Sequence, residues 1–185
     1  MILKGDKGNA TFILNANYYH TKMIEHLSSG SYKIVEKDPS NKIVNTLTKA
    51  IQDSSLDDII KNKIIPKNPV IPHIYSLLKI HKDGCPLRPI VNNISSPSYG
   101  LDRLLTHKLK PLVGHSKSFI KDSSHFIQNI KTMSLREFNI MVSFDVVSFY
   151  TKIAVNEVVN IIKVLTDKET TNLSKVCLDS TYLSF

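Results

Sequence analysis

Apolar positions recur along this chain at two periods, and the change of period marks out its elements. From Ala16 to Leu27 apolar and aromatic residues return at helical spacing until Ser28, Ser29 and Gly30 stop the pattern. Ile43, Leu47, Ala50 and Ile51 give a second helix one apolar face, with Asp38 as its N-cap and Pro39 at its first position. A helix over residues 56–64 precedes the break at Pro66 and Pro69. Ser96 and Pro97 open another, carrying Leu101, Leu104, Leu105, Leu109 and Leu112 on adjoining faces. Asp122 or Ser123 caps the next, with Phe126, Ile127 and Ile130 turned inward. Further helices are predicted over residues 155–165 and from Thr171 onward.

The shorter period predicts strands. Residues 10–14, 32–36 and 140–147 are β-rich or alternate as half-buried strands do. Residues 74–80 and 87–91 are apolar runs around an Asp83-Gly84 turn, which reads as a hairpin. Helices with scattered short strands, rather than strict βαβ alternation, predict an α+β chain with antiparallel pairing.

Composition narrows the class. At 185 residues, with 42% hydrophobic and 22% charged, the chain is long and apolar enough for a core. No apolar stretch reaches membrane-spanning length and the first residues lack a secretory pattern, so no membrane partner and an intracellular, nuclear location are expected. Cys85 and Cys177 have no Cys-x-x-Cys spacing and read as free thiols. No His-x-x-x-His pair occurs, and no Gly-rich phosphate loop is present.

Charge changes the picture more. Residues 61–122 hold eleven Lys or Arg against three Asp, 11 − 3 = +8, while the flanks balance at seven against seven and six against six. The whole excess lies in the middle third, a field that attracts a polyanion and releases counterions on contact. It also fits a solvated surface that keeps the protein soluble.

Two segments could carry chemistry. Asp145 stands inside the apolar run 141–147, where an ionised carboxylate is costly unless paired or bound to a cation. It reads either as a ligand for a divalent ion or as a cap for the next turn. Lys79, His81, Lys82 and Arg88 flank one turn and could converge on a phosphate, for which the forked guanidinium is suited. The same residues would equally form an exposed cationic hairpin.

Four segments taken together match one family. Asp6-Lys7-Gly8-Asn9-Ala10, Leu78-Lys79-Ile80-His81-Lys82, Pro86-Leu87-Arg88-Pro89-Ile90-Val91 and the run from Ser143 to Ile153 occur in this order. In that order and spacing they resemble the fingers and first palm motifs of Penelope-like retroelement reverse transcriptases, over nearly the whole chain.

The resemblance implies a partial right-hand polymerase fold, fingers plus the first part of the palm. Residues 1–70 would be an N-terminal helical, fingers-side region, and 71–185 the fingers hairpin and start of the palm. It implies an RNA-directed DNA polymerase working on an RNA template, a DNA primer and dNTPs by two-metal nucleotidyl transfer. Asp145 would be the catalytic ligand of two Mg²⁺ ions, helped by the Val146 carbonyl. Arg88, Lys79 and Lys82 would bind the dNTP, and Tyr150 would be the gate against a 2′-hydroxyl. Lys79, Lys82, Arg103, Lys108 and Lys110 would meet nucleic acid.

Departures from the family pattern are Ser76 and Leu78 where Gly and Pro are usual, and Lys152 and Ala154 where Asn and Pro are usual. No nucleotide-base motif and no Tyr-x-Asp-Asp follow Asp145, so the expected fold is truncated and its ion site incomplete. The alternatives are a non-catalytic nucleic-acid-binding remnant and a pseudogene product without a stable fold.

Overall fold

The computed structural model describes residues 1–7, 10–134, 140–146 and 149–185. The chain begins with β1 (Ile2–Lys4) and β2 (Thr11–Ile13), paired antiparallel. Next is α1 (Ala16–Leu27), whose N-cap Asn15 accepts from the backbone N–H groups of Asn17 and Tyr18. α2 (Ser40–Gln52) starts a residue later than expected, and Asp38 accepts from the Ser40 N–H at 2.9 Å as an N-capping carboxylate does. α3 (Asp58–Ile64) is capped by Asp57. The hairpin follows as β3 (His73–Leu78) and β4 (Leu87–Asn92), antiparallel with Tyr75 opposite Ile90 and Leu77 opposite Arg88.

α4 (Tyr99–Leu109) runs into a 3-10 turn over Lys110–Leu112. α5 (Ser123–Lys131) is capped by Asp122 through the His125 N–H. α6 (Phe149–Lys152), α7 (Val155–Leu165) and α8 (Lys168–Asp179) complete the order. α8 begins before Thr171, because Asp167 accepts from both the N–H and the hydroxyl of Thr170 and so fixes the N-terminus there. The chain is mixed α+β, as its periodicities predict, with two small antiparallel sheets among the described residues.

Two apolar clusters hold these elements, and both join residues before and after position 70. The larger contains Leu47 and Ile51 of α2, Ile64 of α3, Leu101 and Leu105 of α4, and Leu173 and Cys177 of α8. Each fully buried aliphatic side chain here stabilises by about 1.5–3 kcal/mol relative to exposure. Gly100 makes the α3–α4 contact possible, since a Cβ there would lie 2.7 Å from the carbonyl oxygen of Ile64.

The smaller cluster sets Tyr19 and Met23 of α1 against Ile74 of β3. Its polar groups are matched. The Ser76 N–H donates to the Tyr19 hydroxyl at 2.8 Å, and the Ser76 hydroxyl donates to the Met23 sulfur at 2.8 Å. Ser76, one of the departures noted above, is thereby wholly enclosed. The sheet extends at its edge, where Gly5 bridges Leu78 in parallel and the Asp6 N–H donates to the Leu78 carbonyl at 2.8 Å.

Three expectations are corrected. Residues 32–36 form no strand, and Ile34 is almost fully exposed. Residues 140–146 of the expected palm strand are irregular, with Ile140 at 85% and Phe144 at 89% exposure; Val147 lies outside the described residues. A strand persists only when its N–H and C=O groups find a ladder partner. Alternation alone supplies none. Phe126 and Ile127 of α5 face outward rather than inward.

The uncovered apolar surface is large. Among the described residues Ile13, Ile34, Phe144 and Val164 are each at least 85% exposed. Among the described residues no helix is long and apolar enough to cross a membrane.

Candidate nucleic-acid interface

The hairpin alternates as a pleated pair must, so residues two apart share a face. Ile74, Ser76 and Leu78 point inward and are buried. Tyr75 and Leu77 therefore take the other face, together with their partners Ile90 and Arg88 on β4. At the tip the Lys79 N–H donates to the Pro86 carbonyl at 2.9 Å, which closes the loop. The loop turns through Gly84 and Cys85, both at positive φ, of 73° and 44°. Lys79 is partly buried and Lys82 exposed beside this turn.

Arg88 is anchored. Its Nη1 donates to Oδ1 of Asp6 at 2.9 Å, with the Asp6 side chain only 4% exposed and that of Arg88 47% exposed. Two segments far apart in the chain, the one opening at Asp6 and the one around Arg88, thus meet in space. Sequence reasoning assigned Arg88 a role but none to Asp6, since nothing local marks a carboxylate as the partner of an arginine so far along the chain.

Alongside the outer face of the hairpin runs an open cleft of about 570 Å³. Tyr75, Ile90 and Tyr99 give it apolar and aromatic walls, and it is lined also by Arg103, His107 and Lys110, the first and last of them cationic. The last three lie at i, i+4 and i+7, one stripe of α4 and the turn after it. Arg103 lies 6.0 Å over the ring of Tyr99, a cation–π distance. An aromatic wall with cations beside it suits a base stacked against a ring and phosphates held electrostatically. Tyr75 and His107 were missed by sequence reasoning. The spacing of His107 between Arg103 and Lys110 was the available signal.

Asp102 also borders the cleft, but its carboxylate is occupied. It accepts from the Asn93 amide at 2.6 Å, the Ser98 hydroxyl at 2.9 Å and the Cys177 thiol at 2.6 Å. Burial first, and this bond second, push the Cys177 thiol far above its ordinary range.

The expected site residues do not all converge. Arg103 and Lys110 share the cleft, whereas the Lys108 ammonium reaches the Thr170 hydroxyl of α8 at 3.5 Å. Asp145 and Val146 lie exposed in the irregular stretch 140–146. Tyr150 falls within α6, with its side chain outside the described part. Among the described residues no three His, Cys, Asp or Glu side chains gather into a metal-binding group.

Comparison with protein-family models, with curated proteins and with solved structures finds no match to this chain.

Proposed function

We propose that this chain is part of an RNA-directed DNA polymerase of a retroelement, its fingers and the first part of its palm. The observation that carries the reading is the Asp6–Arg88 ion pair, which joins two of the four motif segments. A cationic, aromatic-walled cleft along the same hairpin is consistent with a template or primer strand beside the nucleotide site. Arg88 takes the triphosphate of the incoming dNTP with the part of its guanidinium that faces out.

In such an enzyme two Mg²⁺ ions, when bound, would supply Lewis acidity at the primer hydroxyl and charge neutralisation at the pyrophosphate. Asp145 and the Val146 carbonyl are the residues of this chain that the reading assigns to them. An exposed Asp145, with no group of carboxylates gathered around it among the described residues, does not make a two-ion centre by itself. The proposal therefore requires further ligands.

Primer extension on an RNA template, by the full product of the reading frame containing this chain, tests the assignment. Asp145→Ala should abolish extension and Arg88→Ala should raise KM for dNTP. Equal extension with Asp145→Ala would overturn it.

A second reading is favoured by the cleft itself: a nucleic-acid-binding module without catalysis. It predicts binding to single strands that weakens steeply with salt and an absence of extension under every condition.

A further inference from the structure

The Asp6–Arg88 contact is one-sided. Nη1 of Arg88 meets Oδ1 of Asp6, and among the described residues Oδ2 of Asp6, buried, has no hydrogen-bond partner. The carboxylate is itself fixed by the main chain, through the Asp6 N–H to the Leu78 carbonyl and the Gly5–Leu78 bridge. An enclosed, main-chain-anchored anion thus grips one nitrogen of a half-exposed guanidinium. The Nη2 and Nε donors of Arg88 are not used in this contact, and together they form a fork of the shape that binds phosphate through two parallel bonds.

We infer that Asp6 is a positioning residue, holding Arg88 so that its second edge presents two donors to a phosphate. The inference rests on the proposed role of Arg88 in taking a triphosphate. A free arginine on a two-stranded hairpin samples many rotamers, and each must be given up when the anion arrives. With Nη1 already bound, most of that freedom is lost on folding rather than on binding.

Simple charge counting gives the opposite sign, which makes the inference testable. Asp6 cancels one positive charge beside the anion site, so removing its charge should tighten phosphate binding if electrostatics alone decides. If orientation decides, removing it weakens binding although the protein becomes more positive. The two effects cannot be confused.

The experiment measures inorganic triphosphate binding by calorimetry to the 185-residue chain and its variants, well below each melting temperature. Asp6→Asn is expected to weaken binding about three- to ten-fold. Arg88→Ala should weaken it further, and Asp6→Asn added to Arg88→Ala should change nothing more. Tighter or unchanged binding by Asp6→Asn, with Arg88→Ala still defective, overturns the positioning role alone. Binding that is indifferent to Arg88→Ala, or absent from the parent chain, overturns the phosphate role of Arg88 and the positioning role with it. Should Asp6→Asn not fold, Asp6→Glu carries the test. It keeps the ion pair but displaces the fork by a methylene, so weaker binding supports the inference and unchanged binding overturns it.

Discussion

The thiol of Cys177 lies 2.6 Å from Oδ1 of Asp102, tying α8 to α4 across 75 residues of sequence. The bond sits at the edge of the larger apolar cluster, and it keeps the thiol protonated where burial already disfavours a thiolate. Cys85, by contrast, is exposed in the hairpin loop. At pH 8 an alkylating reagent should label Cys85 and spare Cys177 in the native protein, with both modified after denaturation. Mass spectrometry of the intact chain reads the difference; double labelling under native conditions would contradict the bond.

The same thiol gives stability a pH dependence of defined sign. Its folded value is raised above the ordinary 9.0, so the unfolded chain loses this proton first. The contribution is complete below pH 9.0 and is lost as pH rises above it. Denaturant midpoints followed upward from pH 7 should fall above that point, and Cys177→Ala should remove this part of the decline.

Tyr19→Phe deletes the acceptor of the buried Ser76 N–H while leaving the ring in place. An orphaned buried donor costs about 1–3 kcal/mol. Urea melts should show that loss, with a matching rise in amide exchange along β3. A neutral result would mean that another acceptor reaches Ser76.

Gly100→Ala places a methyl group 2.7 Å from the Ile64 carbonyl oxygen, and both partners are backbone. Forcing α3 and α4 apart should cost about 1–3 kcal/mol, the range of overpacked cores. An alanine gain, as helix propensity alone would give, would show that α3 moves freely.

The cleft predicts which cations meet a strand. Binding of an oligothymidylate as a function of salt should lose about 0.7 from its logarithmic slope for each phosphate contact removed. Arg103→Ala and Lys110→Ala are expected to show that loss. Lys108→Ala is not, because its ammonium is turned toward Thr170 and the carboxylate of Asp167. Equal losses at all three positions would place the strand across a different face of α4.

Local pattern was enough for much of the framework. The leucines of α4, the apolar face of α2 and the hairpin around Asp83-Gly84 were all legible, because helix and strand periods are imposed by neighbours a few residues away. The positive band over residues 61–122 was legible too, since charge needs only counting.

Tertiary structure decided the rest. That Arg88 answers to Asp6, that Tyr75 shares a cleft with His107, and that Lys108 leaves the other cations depend on which surfaces pack together. Residues 140–146 show the limit most clearly: their β-rich apolar composition is that of a strand, yet they lie exposed and irregular. A helix closes its hydrogen bonds within its own segment, and a strand must borrow them from another. Sequence could therefore specify the helices by itself, whereas strands, ion pairs and the cleft exist only where tertiary packing supplies the second half of each contact.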